Sequence, residues 1–224
     1  MGRTFVMGDI HGNYEGFKEA LEKSPFNPEE DRLILLGDLV DGYKGSFEII
    51  ATLLTFKDVV FVVGNHDRWF IDYFKTGANR WIWKTQGGRE TLKSYELNSN
   101  GIIPSTHQEF FEKSLKYYIQ DDMIFVHGGF NPMVNIDKQN TYFLTWDRKL
   151  IETAKKMCIY RNDKDEIDKE ELWRKVFVGH TTTQLINRSS LPVKFNNLIM
   201  LDTGGGWKGK VTIMDVETEK YWQG

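Results

Sequence analysis

Four of the five histidines in this chain stand in short clusters with glycine. The clusters read Gly8-Asp9-Ile10-His11-Gly12, Gly64-Asn65-His66-Asp67, His127-Gly128-Gly129 and Gly179-His180-Thr181. A fifth, Gly37-Asp38-Leu39-Val40-Asp41, carries carboxylates and no histidine. Glycine lets a chain turn sharply after a strand and lets backbone approach a ligand closely. Asp9, His11, Asp38, Asn65, His127 and His180 form a candidate ligand set of carboxylate, amide oxygen and imidazole. Such donors suit divalent manganese, iron or zinc, and disfavour a soft thiolate site. Two cations in one site need a shared carboxylate, and Asp38, in the middle of the order, is the natural bridge. Cations about 3.5–4 Å apart can clamp the attacking and leaving oxygens of an in-line displacement. They also acidify a bound water, so that hydroxide forms near neutral pH.

The elements before these clusters must bring them together. Thr4–Met7, Leu33–Leu36 and Val59–Val63 are short apolar runs ending at Gly8-Asp9, Gly37-Asp38 and Gly64-Asn65. Between them, Asn13–Leu21 and Ser46–Thr55 carry apolar residues at helical spacing. Strand, helix and strand recur at the length of a βαβ unit, with the ligands just beyond the carboxyl ends of the strands. Continuous apolar strands predict a parallel sheet covered on both faces. His66–Tyr118 reads as mostly helical, with a Gly87-Gly88 break, and is taken as a helical insertion over about 68–118. Met123–Val126, Val176–Val178, Leu198–Leu201 and Val211–Val216 are further strands, with fewer helices between them. They predict a second sheet or an antiparallel extension. Ile151–Lys175 is rich in balanced charge and reads as a solvated helical segment, with part of a lid as the alternative.

The 224 residues suit a single α/β domain. A hydrophobic share of 40% and a charged share of 27% are those of an ordinary globular chain. A formal net charge of -3 argues against a strongly basic nucleic-acid binder. Cys158 is the only cysteine, so no intrachain disulfide forms and a reducing compartment fits. Gly8-Asp9 follows so soon after Met1 that no signal peptide is expected, and no apolar run is long enough to span a bilayer. The expected location is cytoplasmic.

The five ordered clusters resemble the metallophosphoesterase superfamily, in its phosphoprotein-phosphatase type. That type includes bacterial and phage serine/threonine protein phosphatases and the related symmetrical dinucleoside tetraphosphatases. The resemblance spans nearly the whole chain, down to Leu201-Asp202-Thr203-Gly204 and Lys210-Val211-Thr212. It implies an α/β/β/α sandwich of two sheets and a dinuclear metal centre, with manganese first and iron or zinc as alternatives. Asp9, His11 and Asp38 would hold one metal, and Asp38, Asn65, His127 and His180 the other. His66 would be the general acid for the leaving oxygen, with Asp41 orienting it. Asn65 and Arg148, in Thr145-Trp146-Asp147-Arg148, would also bind the substrate phosphate. The chain departs from the type after Asp41, where an arginine is replaced by Gly42, followed by Tyr43 and Lys44. Lys44 and Arg68 are candidates to compensate.

The resemblance implies hydrolysis of phosphate monoesters, with a serine/threonine protein phosphatase as the first expectation. A symmetrical dinucleoside tetraphosphatase is the alternative, and a metal-binding scaffold without catalysis is a third reading. The partner is then a phosphoprotein or a small phosphorylated molecule, without membrane or nucleic acid. Outside the clusters, His107 is assigned to the surface or a helix cap. Trp69, Trp81 and Trp83 are assigned to the core of the insertion. Asn13 and Asp67 are read as helix caps, and Asp202 as a turn residue near His180.

Overall fold

Every strand that leads to a cluster is apolar at successive positions, and the structure shows where each face goes. The computed structural model describes residues 2–78, 80–161 and 171–224. Its strands are β1 (Thr4–Met7), β2 (Arg32–Leu35), β3 (Asp58–Phe61), β4 (Tyr118–Gln120) and β5 (Met123–Val126). They continue with β6 (Lys175–Val178), β7 (Val193–Phe195), β8 (Leu198–Met200), β9 (Thr212–Asp215) and β10 (Tyr221–Gln223). One sheet has the order β10-β9-β1-β2-β3 and the other β4-β5-β6-β8-β7. Three adjacent strands in each are parallel: β1, β2 and β3, with β3 at the edge, in one, and β5, β6 and β8 in the centre of the other. Antiparallel strands flank them on the remaining edges.

The sheets pack face to face. Val6 and Ile34 point inward from the first sheet, and Phe125, Phe177 and Ile199 from the second, into one shared cluster. Phe125 and Phe177 stack there with centroids 4.9 Å apart. Their chain neighbours point the other way. Phe5, Met7, Leu33 and Leu35 face a helical layer, and Ile124, Val126, Val176 and Val178 face a second one. The side-chain period of a strand is two, so burial on both faces requires an unbroken apolar run. The chain is thus an α/β/β/α sandwich. This is the two-sheet sandwich expected from the sequence, with both sheets mixed. Both outcomes foreseen for the later strands occur. β5, β6 and β8 build the second sheet, and β9 returns antiparallel beside β1.

On the first outer face lie α1 (Tyr14–Lys23), α2 (Ser46–Leu53), α3 (Asn65–Thr76), α4 (Trp81–Trp83), α5 (Arg89–Ser99) and α6 (Ser105–Glu112). Helices α3 to α6 occupy most of the expected 68–118 range. On the second outer face lie α7 (Thr141–Trp146), α8 (Lys149–Ala154) and α9 (Gln184–Asn187). Asn13 caps α1 by accepting the Gly16 N–H at 3.0 Å. Among the described residues of the charge-rich stretch read as a solvated helix, the start is helical, in α8, and Lys175 already belongs to β6. Tyr160 and Leu172 form an isolated bridge, and residues 162–170 lie outside the described residues. Among the described residues, no helix is long and apolar enough to cross a membrane.

Candidate metal centre and its cleft

All five clusters meet at one end of the sandwich, past the carboxyl ends of β1, β2, β3, β5 and β6. The first sheet supplies Asp9, His11, Asp38 and Asn65, and the second supplies His127 and His180. The turns that aim these side chains are tight. His11, Asp38, Asp41 and His180 adopt left-handed backbone, with φ of 52°, 51°, 73° and 60°. Such angles in residues other than glycine each cost on the order of 1–3 kcal/mol and concentrate at functional sites.

Asp38 lies at the centre. Its Oδ2 is 3.7 Å from His11 Nε2 and 3.3 Å from His127 Nε2. One ligand atom each from His11, Asp38 and His66 lies within 4.8 Å of the others, and so do atoms of Asp38, His127 and His180. Asp38 is common to both groups, as a bridge must be. Asp9 Oδ2 lies 3.9 Å from His11 Nε2, and the Asp9 carboxylate accepts the His180 N–H at 3.1–3.2 Å.

Hydrogen bonds fix which imidazole nitrogens face inward. His127 Nδ1 lies 2.7 Å from the Leu36 carbonyl, and His11 Nδ1 lies 3.2 Å from the Val40 carbonyl. A ring nitrogen facing a carbonyl must donate, so a neutral ring turns a lone pair inward at Nε2. His127 Nε2 then faces Asn65 Oδ1 at 3.0 Å as well as Asp38 Oδ2. Burial works against a charged His127, yet Asp38 raises its pKa, so this point attracts positive charge, a proton on Nε2 or a metal ion in its place. His180 Nε2 is buried with no hydrogen-bond partner among the described residues, as an unused lone pair would be. Burial pushes His11 down to about 4, and burial with His127 pushes His180 down to about 3, so both rings are neutral near pH 7.

The carboxylates point the same way. Burial, Asp202 and Asp38 hold Asp9 well above the usual carboxylate range. Burial and Asp38 raise Asp67 to about 7, and burial also lifts Asp202 to about 6. Burial acts upward on Asp38 as well, but His127 and His66 pull it well below the usual range. Four acids so close together repel unless positive charge lies among them. The residues present therefore fit a pair of divalent cations by donor type, convergence and charge. Asp67 does more than start a helix. It accepts the N–H groups of Gly64, Asp38 and Leu39 at 2.7–2.9 Å, tying the Asp38 turn to α3.

His66 stands beside this cluster. Its Nδ1 lies 2.7 Å from Asp41 Oδ2, which leaves Nε2 free for the cleft. Burial works against a charged His66, yet Asp38 and Asp41 together raise its pKa above the ordinary value. Asp41 is fully buried. Two residues that sequence reasoning did not connect with the site hold it there. Trp83 Nε1 lies 3.0 Å from both carboxylate oxygens, and Thr91 Oγ1 donates to Oδ1 at 2.7 Å.

The cluster opens into a cleft of about 610 Å³. Arg148 is the one cationic side chain besides the histidines among its lining residues. It has no ion-pair partner among the described residues. Lys44 is exposed and does not line the cleft, and Arg68 lines a separate pocket with Asp72 and Lys116. Gly42 has φ of 92°, where any side chain is strained, and a Cβ there would sit 3.1 Å from the His11 carbonyl. Backbone geometry thus accounts for glycine at the position where an arginine was expected.

The tryptophans separate. Trp83 is buried core, whereas Trp81 is 75% exposed, which corrects its assignment to the core. Trp69 lines the cleft with Trp146 and Trp207. Trp69 sits edge-on to both His66 and Trp146, with centroids 4.9 and 5.7 Å away. Asp202 also lines the cleft and accepts the Gly204 N–H, as a turn residue does. His107 is corrected from surface to interior. It is 3% exposed, packs on Phe47, and its Nδ1 lies 3.0 Å from the Tyr95 hydroxyl.

Residues 2–208 match the calcineurin-like phosphoesterase family. A symmetrical bis(5'-nucleosyl)-tetraphosphatase of Buchnera aphidicola subsp. Acyrthosiphon pisum (strain Tuc7) is 48% identical over 65 residues, or 29% of this chain and 24% of that protein. One from Nitrosomonas europaea is 29% identical over 138 residues, 60% of this chain and 47% of that protein. The chain therefore spans between about a quarter and a half of the length of these curated relatives. A solved structure described as a candidate diadenosine tetraphosphatase shares the fold. It aligns with a TM-score of 0.67 over 100% of this chain and 93% of that one, at 19% identity. The family match runs through all five clusters and both sheets, and on that ground the chain belongs to the calcineurin-like phosphoesterases.

Proposed function

We propose that this chain is a dimetal phosphoesterase whose substrate is a dinucleoside polyphosphate. The observation that carries the chemistry is the convergence of His127 Nε2, Asn65 Oδ1 and Asp38 Oδ2 at the floor of the cleft. Asp9, His11 and Asp38 would hold one cation, and Asp38, Asn65, His127 and His180 the second. Bound there, the cations supply an activated water and neutralise phosphate charge. Manganese fits these donors first, with iron and zinc as alternatives.

The chain's own residues do the rest. Arg148 receives the phosphate, joined by Asn65 at the cleft floor. His66 keeps a proton on Nδ1 against Asp41 and presents Nε2–H to the leaving oxygen. As the bond from phosphorus to that oxygen breaks and the bond to water oxygen forms, the Nε2 proton passes to the leaving group. Trp69, Trp146 and Trp207 offer aromatic faces on which a nucleobase can stack. This wall favours a nucleotide over a phosphoserine side chain. The names of the curated relatives support the same order, so the dinucleoside reading replaces the protein-phosphatase reading as the first. The whole chain, 1–224, would act as one domain with 68–118 inserted between the two sheets.

The test is turnover with added manganese on diadenosine tetraphosphate, a phosphothreonine peptide and 4-nitrophenyl phosphate, with Asp38→Asn as control. The expected result is preference for the dinucleotide, abolished in the control. Preference for the peptide would return the protein-phosphatase reading to first place. Absence of turnover in fully metallated protein would leave a binding scaffold.

A further inference from the structure

The Asp41 carboxylate has more hydrogen bonds than pairing with His66 requires. His66 Nδ1 meets Oδ2 at 2.7 Å, and Thr91 Oγ1 donates to Oδ1 at 2.7 Å. Trp83 Nε1–H points between the two oxygens, 3.0 Å from each. Thr91 Oγ1 also accepts the N–H of Asp41 itself at 2.9 Å, closing a ring around the residue. Asp41, Trp83 and Thr91 are all fully buried. Asp41 sits on left-handed backbone with φ of 73°, a conformation that needs outside support.

Burial alone does not explain the indole contact. Trp173 is also buried, and its Nε1 has no hydrogen-bond partner among the described residues. Phenylalanine at position 83 would still pack on Phe70 and Tyr73 but would offer no donor. A donor centred between both oxygens fixes the plane of a carboxylate, and a donor on one oxygen fixes its rotation. Only then does the other oxygen stay in line with His66 Nδ1.

We propose that Trp83 and Thr91 are positioning residues for protonation of the leaving group. Their hydrogen bonds hold Asp41 in the orientation that binds His66 Nδ1, and so aim His66 Nε2 at the leaving oxygen. The inference rests on the reading of His66 as the general acid. Both residues come from the helical insertion, so part of the catalytic machinery lies outside the five clusters.

Two phenyl esters of similar shape test it, with the full chain and added manganese. Nitrophenolate leaves without help, whereas phenolate needs a proton, so loss of a general acid falls on phenyl phosphate. Trp83→Phe and Thr91→Val are expected to raise the ratio of 4-nitrophenyl to phenyl phosphate turnover by at least about fivefold, in the direction that His66→Asn moves it. Metal content should equal that of the wild type. A shifted ratio in His66→Asn with an unmoved ratio in both other variants overturns the proposal and leaves His66 as the acid. No shift in His66→Asn, or no turnover by the wild type, overturns the acid reading and this proposal together. A second readout needs no metal. The low-field proton resonance of the His66–Asp41 hydrogen bond is expected to move in both variants, and an unmoved resonance overturns the proposal. Thr91→Val removes one hydroxyl at nearly constant shape, so it decides alone if Trp83→Phe fails to fold.

Discussion

Arg148 carries the clearest prediction at the scale of single residues. It lines the cleft and has no ion-pair partner among the described residues, so its charge is available to a phosphate. A hydrogen bond to a charged group contributes about 1.5–3 kcal/mol, so Arg148→Ala should lower kcat/KM by roughly 10- to 100-fold. Thermal stability should stay close to wild type, because the side chain is exposed. Steady-state kinetics beside a melting curve checks both. A second prediction concerns His107. Burial lowers its pKa from 6.5 to about 4. As pH falls below 6.5 the unfolded chain takes up this proton first, so stability is complete above that value and is lost progressively down to about 4. His107→Gln should therefore lose less stability than wild type between pH 7 and pH 5, as read by denaturant titration. The sequence marked the candidate ligands because each sits within a few positions of a glycine and an apolar run. It could not mark His107, whose burial comes from Phe47 and Tyr95 packing across from other helices. Trp83 and Thr91 were hidden for the same reason, since 42 and 50 positions separate them from the carboxylate they hold.

At the scale of elements, the Gly87-Gly88 break shows how a weak local signal becomes a geometric need. Gly87 has φ of 104°, and a Cβ there would lie 2.3 Å from the Gly42 nitrogen. A Cβ at Gly88 would lie 2.4 Å from Cε2 of the Trp83 indole. The turn between α4 and α5 can therefore press against the Asp41 loop only without side chains. Gly88→Ala should push the indole out of line and cost about 1–3 kcal/mol by overpacking. It should also depress turnover of phenyl phosphate more than that of 4-nitrophenyl phosphate. Equal loss on both esters would assign Gly88 to packing alone. The strands were legible for a different reason. Their apolar runs announced burial on both faces, but a run of four or five residues does not say whether helices or a second sheet cover it. Val6 and Ile34 meet Phe125 and Phe177 across the sandwich, a contact between segments more than 80 positions apart.

The scale of the whole molecule brings in the two sheets and what joins them. Their apolar faces pack through Val6, Ile34, Met123 and Phe177, yet their polar ends also converge, with Asp9 and Asp38 from one and His127 and His180 from the other. Without cations, that end holds mutually repelling acids and an imidazole nitrogen with no partner among the described residues. Cations bound there would link the sheets and relieve the repulsion, so metal affinity should appear directly as folding stability. A ligand at a hundred times its Kd adds about 2.7 kcal/mol. At about 2–4 °C per kcal/mol for a chain of this size, chelation should lower Tm by roughly 5–10 °C or more, and manganese should restore it. Asp38→Asn removes the shared charge and should abolish most of that response. In the metal-free state His127 and His66 hold Asp38 charged, so metal-free Asp38→Asn should melt below metal-free wild type. A Tm that ignores chelator in the wild type would mean that the six converging residues hold no structural cation. A response that survives Asp38→Asn would move the cation away from the bridge.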